Sequence, residues 1–147
     1  RGRGDDGGRG MSGWSVLAVA AGAAAGAPAR FWIDRRCVAR WGPRWPAGTL
    51  TVNLIGCAVL GLITGFLAGT GMAAGEPVFV VLSAGAGTGF CGALTTFGGF
   101  GAQILNLERR STRPPRTRWA GIGYAVVSVT VGVGLAVLGY AAGTGIG

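Results

Sequence analysis

Four long apolar stretches alternate with short polar segments along this chain of 147 residues. The apolar stretches cover about 14–33, 49–70, 77–107 and 119–142. Each is long enough for a helix to cross the hydrocarbon core of a bilayer, which takes about 20 residues. The pattern therefore predicts an all-α membrane protein with four transmembrane helices in one domain, 14–147.

The segment before the first span, 1–13, is polar and rich in glycine, which predicts a disordered tail. We interpret Met11 as the true initiator and the ten residues before it as a mis-assigned extension. The first span is too long for the apolar region of a cleaved signal peptide, and an arginine-rich loop follows it.

The third apolar stretch is too long for one straight span. As a continuous helix at about 1.5 Å per residue it would reach roughly 46 Å, against a hydrocarbon core of about 30 Å. The segment GTGFCGALTTFGGFG also interrupts its apolar character. Both features predict that the third helix is broken at mid-membrane.

Composition supports a membrane protein and predicts tight packing. Half of the residues are hydrophobic and 12% are charged, whereas a soluble domain carries about 25% charged residues. Glycine occurs 31 times, often in pairs four residues apart, a spacing that lets membrane helices approach closely. These pairs are Gly22/Gly26, Gly61/Gly65, Gly65/Gly69, Gly85/Gly89 and Gly139/Gly143.

The positive charge is confined to the N-terminal tail, the loops and the ends of the spans. The net charge is +8, and all 13 basic residues are arginines. Ten of them lie in two loops or at the span ends beside these loops. The first loop has Arg30, Arg35, Arg36, Arg40 and Arg44, and the second has Arg109, Arg110, Arg113, Arg116 and Arg118. The positive-inside bias places both loops in the cytoplasm and both termini outside the cell membrane. Arginines at membrane edges, without interleaved aromatic residues on a folded surface, argue against nucleic-acid binding.

The chain lacks the residues that most enzymes use. Histidine is absent, the five acidic residues fall in predicted tails or loops, and no nucleophile has a base near it in sequence. Cys37, Cys57 and Cys91 form no metal-binding or disulfide pattern. No predicted span contains an acidic residue, and this disfavours a proton-coupled transporter, which usually needs one.

The spans contain neutral polar and aromatic residues instead. Asn53 lies in the second span, and Tyr124 and Ser128 share one helical face in the fourth. Thr130 lies off that face, and we interpret it as structural. The third span contributes Thr95, Thr96, Phe97 and Phe100.

Two motifs make the sequence similar to a known family. GTLTVNLIG at 48–56 and CGALTTFGGF at 91–100, with GAPARF at the end of the first span, resemble the CrcB or Fluc fluoride channels. The resemblance runs from about Trp14 to the C-terminus. It implies a channel with two pores, built as an antiparallel dimer of four-helix subunits, that passively exports fluoride from the cytoplasm and lowers its toxicity.

The resemblance also implies roles for individual residues. Asn53, Phe97 and Phe100 match residues that line the fluoride pore, and Tyr124 and Ser128 match its polar track. We assign Thr96 to the same pore. Gly92 and Thr95 match positions whose backbone carbonyls bind a structural Na⁺ at the dimer centre, and Arg30 matches the arginine that ends the first helix.

These residue types suit fluoride, which is small and strongly hydrated. Amide and hydroxyl donors can replace its water without a fixed charge, and aromatic rings present a positive edge to an anion. An arginine or lysine in the pore would hold the ion too tightly for release.

The chain departs from the family pattern near the break. Gly98-Gly99 stands where Ser-Thr is usual, Gln103 where Glu is common, and Ala93 where a second glycine is usual. These changes, together with the strong arginine bias, suggest one dedicated half of a heterodimer, paired with a homologous subunit of opposite orientation. A small multidrug or metabolite transporter and an accessory membrane subunit without its own pore remain alternatives.

Overall fold

The structure is a computed structural model that describes residues 13–42, 46–109 and 120–147. Residues 1–12 of the predicted tail, including Met11, and most of the second arginine-rich loop lie outside these residues, whereas Gly13 begins the first helix. The described helices are α1 (Gly13–Trp41), α2 (Ala47–Gly69), α3 (Pro77–Val81), a π-helix (Leu82–Cys91), α4 (Gly92–Leu94), α5 (Phe97–Arg109) and α6 (Ala120–Ile146).

The prediction of four helices that are long and apolar enough to cross a membrane is confirmed for the described residues. They are Gly13–Trp41, Ala47–Gly69, Pro77–Leu107 and Gly121–Ile146. Mean hydropathy over the most apolar part of each lies between 1.5 and 2.1. The third of these spans is composed of α3, the π-helix, α4 and most of α5.

Helix α1 is longer than predicted, because the segment 34–41, expected to be a loop, is helical. Neither glycine nor proline occurs in this segment, and arginine and alanine favour helix. The helix ends where Gly42 adopts φ of +77° and donates its N–H to the Val38 carbonyl, 2.8 Å away. Asp34, expected in a loop, therefore lies within α1.

Glycines mediate the two closest helix pairs. Helix α2 packs most extensively on α6, and α1 packs mainly on the π-helix. Gly61 and Gly65 lie against carbonyls of α6, and Gly139 and Gly143 lie against carbonyls of α2. Gly22 and Gly89 make the equivalent contacts between α1 and the π-helix. The prediction that the paired glycines serve tight packing is thus confirmed at these positions.

The bundle buries few large side chains. Among the described residues, only Val52 and Leu94 are large side chains with less than 2% exposure. Many apolar side chains of α1 and α6 point outward, including Leu17, Val133 and Leu138. An apolar exterior over spans of this length is the surface expected of a protein surrounded by lipid.

Candidate functional site

The site is built around an interruption between α4 and α5. The helix stops at Leu94, and Thr95 is extended, with φ of −85° and ψ of 163°. Helix α5 begins at Phe97. The Thr96 hydroxyl accepts the Gly99 N–H at 3.2 Å, which is the geometry of a helix N-cap. Threonine is a good capping residue, and so the chain restarts a helix directly after Thr96.

Asn53 joins α2 to this interruption. Its Oδ1 accepts the Thr96 backbone N–H at 3.1 Å. Because a backbone N–H can only donate, this bond fixes which end of the amide faces the break. The amide NH₂ has no hydrogen-bond partner among the described residues. Asn53 therefore stabilises the break with its oxygen and keeps two donors for another partner.

The interruption also removes helical hydrogen bonds from several backbone carbonyls, among them those of Gly92 and Thr95. In a continuous helix the Gly92 carbonyl would accept the Thr96 N–H, which here donates to Asn53. The Thr95 carbonyl would accept the Gly99 N–H, which here donates to the Thr96 hydroxyl. The two positions proposed from sequence for Na⁺ are thus free of their usual helical partners.

Gly56 allows the break to approach α2. A Cβ at Gly56 would overlap the Thr95 methyl group. The Thr95 hydroxyl points elsewhere and donates to the Cys91 carbonyl at 2.8 Å. The glycine that ends GTLTVNLIG is therefore needed for the extended Thr95 to pack where it does.

A cavity of about 620 Å³ opens beside the interruption, between α2, the third span and α6. It brings together seven of the residues singled out from sequence: Asn53, Gly92, Thr95, Thr96, Phe97, Phe100 and Ser128. Its other lining residues are glycines, aliphatic residues, Thr88, Cys57 and Cys91. Over the ranges that the structure describes, no Asp, Glu, Lys or Arg lines it. The cavity can therefore offer hydrogen-bond donors and ring edges without a fixed charge.

Aromatic rings form one side of this region. Phe97 and Phe100 lie with ring centroids 6.3 Å apart, and Phe100 and Tyr124 with centroids 5.8 Å apart. Phe97 is 87% exposed, whereas Tyr124 is buried. Tyr124 lies behind Phe100 and does not line the cavity, and its hydroxyl makes no hydrogen bond within the described residues.

The hydroxyls of α6 mostly bond their own helix. Ser128 lines the cavity, but its O–H donates to the Tyr124 carbonyl at 2.7 Å. Thr130 likewise donates to the Val126 carbonyl at 2.8 Å. In this conformation Ser128 presents lone pairs to the cavity, and its hydroxyl would have to rotate to donate to an anion.

Arg30 is not brought together with Asn53. It lines a separate cavity of about 400 Å³ with Asp34, Thr49, Gly99 and Gln103. Its Nη2 atom lies 3.3 Å from where a Gly99 Cβ would be. Arg30 therefore lies on the α1 side of the first turn of α5.

Several lining residues escaped sequence analysis. Cys57, Cys91 and Thr88 line the central cavity, but small residues in an apolar span carry no signal of their own. Cys57 follows Asn53 by four residues, a spacing that places both side chains on one helical face. This spacing is the one sequence signal that could have indicated Cys57 as a lining residue. Among the described residues, no group of three or more His, Cys, Asp or Glu side chains could hold a metal ion.

Gly98 and Gly99 differ in their surroundings, and this yields a prediction. A Cβ at Gly98 would meet only the Thr96 hydroxyl, at 4.0 Å, whereas one at Gly99 would lie 2.6 Å from the Thr96 methyl group. We expect Gly98→Ser to be tolerated and Gly99→Ser to destabilise the protein by about 1–3 kcal/mol through overpacking. Thermal unfolding in detergent measures both, and equal melting temperatures would contradict the prediction.

Comparison with known proteins adds independent information. A family model described as "CrcB-like protein, Camphor Resistance (CrcB)" matches residues 17–140. The chain is 39% identical over 126 residues to fluoride-specific ion channel FluC 1 of Nocardia farcinica, covering 86% of this chain and 78% of that protein. It is 36% identical over 129 residues to fluoride-specific ion channel FluC of Chloroflexus aurantiacus, covering 88% and 94%. It is 39% identical over 128 residues to FluC 1 of Streptomyces avermitilis, covering 84% and 90%.

Proposed function

This chain belongs to the CrcB family, and from that membership we propose that it is a subunit of a fluoride-specific ion channel that passively exports F⁻ from the cytoplasm. It is a multi-pass membrane protein and not an enzyme. The resemblance inferred from GTLTVNLIG and CGALTTFGGF is confirmed by the family match, which covers both motifs.

The observation that carries the proposal is the neutral donor cavity beside the helix break. Asn53 offers an amide NH₂ there, and Phe97 and Phe100 offer rings. Moving an ion into an apolar region without compensation is costly, so the path must supply substitutes for water. Neutral donors compensate the anion and still permit its release.

Fluoride efflux from proteoliposomes tests the function directly. Vesicles loaded with potassium fluoride should release it once valinomycin allows K⁺ to follow, with release recorded by a fluoride electrode. Vesicles loaded with chloride are the matched control and should release little. A coupled transporter would stop when the proton gradient is dissipated, whereas a passive channel would not. Absence of fluoride release, even with a partner subunit present, would contradict the proposed function.

We also propose that backbone carbonyls of Gly92 and Thr95 hold a structural Na⁺ at the centre of a dimer. Both carbonyls lie at the break, and their usual helical donors are engaged elsewhere. Carbonyl oxygens are suitable ligands for such a hard cation, and a broken helix is a known way to expose them. Replacing Na⁺ with a large organic cation should then weaken assembly, as measured by the mass of the complex in detergent.

An open cavity supports assembly with a second subunit. Phe97 is 87% exposed although it lines the cavity with Asn53, so the described residues leave this side of the proposed path open. In the proposed architecture an antiparallel partner closes this side and two pores result. The arginine bias supports one fixed orientation, with the arginine-rich loops cytoplasmic and both termini outside.

A fixed orientation favours a heterodimer, because a homodimer of antiparallel subunits requires one sequence to insert both ways. The test is co-expression with a homologous four-span protein of opposite arginine bias, followed by fluoride efflux. We expect flux from the pair and little from this chain alone. Strong flux from this chain alone would refute the heterodimer and leave the channel function standing.

The Gly98-Gly99 pair also favours a second candidate, an accessory subunit whose own pore does not conduct. The usual hydroxyls are missing at these two positions. In a conducting pair, a pore-blocking substitution confined to this chain would then leave flux unchanged, whereas the same change in the partner would abolish it.

A further inference from the structure

A second chemical feature lies at the end of α1, away from the proposed pore. Here a cavity of about 430 Å³ is lined by Phe31, Trp32, Arg35, Arg36 and Ala39. It shares no residue with the central cavity. Apart from Phe31, it shares none with the Arg30 cavity. We propose that this cluster, called the α1 basic–aromatic site, binds the headgroup of an anionic phospholipid.

The geometry pairs each arginine with a ring one helical turn earlier. The Arg36 guanidinium carbon lies 4.5 Å from the Trp32 ring centroid, and the Arg35 carbon lies 6.0 Å from the Phe31 centroid. Side chains on a helix tilt toward its N-terminus. Both cations therefore lean back over the rings, toward the apolar part of α1.

This arrangement suits the boundary between hydrocarbon and water. The apolar part of α1 precedes the site, and its final turns carry Arg35, Arg36 and Arg40. Phe31 and Trp32 are about 60% exposed, so both rings face outward from the bundle. Aromatic rings of this kind concentrate at the level of lipid headgroups. The rings would contact the lipid's glycerol and upper acyl region while the guanidinium groups reach its phosphate.

Within the part of the chain that the structure describes, no acidic side chain compensates the charge of the site. Among the residues described, neither Arg35 nor Arg36 forms an ion pair with an acidic side chain. Asp34, their neighbour in sequence, packs against Gly48 of α2 and lines the Arg30 cavity instead. Two adjacent cations therefore face the membrane surface without an anion, and guanidinium groups bind phosphate oxygens well.

An anionic lipid accounts for both the arginines and the aromatic rings of the site, whereas free phosphate would bind the arginines and leave the exposed rings without a role. Each basic residue near a membrane surface raises the affinity for anionic lipid by about fivefold, and the effect falls off with distance. The inference does not depend on which ion the protein conducts.

Tryptophan quenching by brominated lipid tests the site at Trp32. The other tryptophans (Trp14, Trp41, Trp45 and Trp119) are changed to phenylalanine, and the full chain is reconstituted in vesicles. We expect brominated phosphatidylglycerol to quench Trp32 with an affinity at least about fivefold higher than brominated phosphatidylcholine. Arg35→Gln and Arg36→Gln should each reduce this preference about fivefold. Arg40→Gln removes the same charge at a residue that does not line the cavity. It should change the preference less, because this charge acts on the bound headgroup only from a distance.

Equal quenching by the two lipids would overturn the proposal, and so would an equal loss of preference in Arg40→Gln. Native mass spectrometry of the chain with all its tryptophans gives a second measurement, in case the tryptophan replacements impair folding. Retained phosphatidylglycerol should fall in Arg35→Gln and Arg36→Gln relative to Arg40→Gln. Unchanged retention would again refute the site.

Discussion

Asn53→Asp is expected to reduce fluoride conduction through the pore that this chain lines by more than about a hundredfold while leaving the bundle folded. Aspartate keeps an oxygen that can accept the Thr96 N–H, so the helix break retains its support. It loses the amide NH₂ and places a negative charge beside the cavity. Like charges about 4 Å apart repel by about 4 kcal/mol at an effective dielectric constant of 20, enough to exclude an anion. Efflux from proteoliposomes gives the measurement. If a partner subunit is needed, its matching asparagine is changed as well, because the second pore would otherwise conduct.

Asn53→Leu is the matched control, because it removes the oxygen as well as the donors. It leaves the Thr96 N–H without a partner, which costs about 1–3 kcal/mol. We therefore expect lower thermal stability in Asn53→Leu than in Asn53→Asp, with flux lost in both. Normal flux in Asn53→Asp would show that the amide donors do not face the ion path.

Gly65→Leu is expected to prevent correct packing of α2 on α6. Any side chain at Gly65 would overlap the Tyr140 carbonyl, and the adjacent contact of Gly61 with the Ala136 carbonyl would be pushed apart as well. A backbone contact cannot be relieved by a change of rotamer. The expected loss therefore exceeds the usual overpacking cost of about 1–3 kcal/mol.

Gly134→Leu is the control for this substitution. It lies on α6, and no atom lies within 4 Å of the position where its Cβ would be. We expect Gly134→Leu to elute and melt like the parent protein in detergent, and Gly65→Leu to aggregate or melt at a much lower temperature. Similar melting temperatures would mean that the α2–α6 contact contributes little to stability.

The sequence predicted the spans well because each is a local property of hydropathy. It misplaced the end of α1, since a run of charged residues was interpreted as a loop although arginine is a good helix former. The end of the helix depends on Gly42, whose positive φ is a local backbone feature that hydropathy does not reveal.

The site was predicted only in part, because its main bond is not local. Asn53 and Thr96 are 43 residues apart. Neither segment alone indicates that the Asn53 amide oxygen accepts a hydrogen bond from the Thr96 backbone N–H. Family resemblance identified both residues. It did not indicate that the Asn53 oxygen binds the helix break while the amide nitrogen is left for another partner. The need for Gly56 beside Thr95 is likewise a property of packing between two helices.

The pairing of α2 with α6 has a consequence for how the protein is made. Residues 70–119 separate the two helices, and a ribosome adding about 5–20 residues per second needs roughly 3–10 s to synthesise them. Throughout that interval α2 must remain in the membrane without its main partner. Its glycine-lined side would face lipid or the insertion machinery until α6 arrives. Biogenesis of this bundle therefore includes a waiting stage, during which a chaperone or a neighbouring chain could occupy the place of α6.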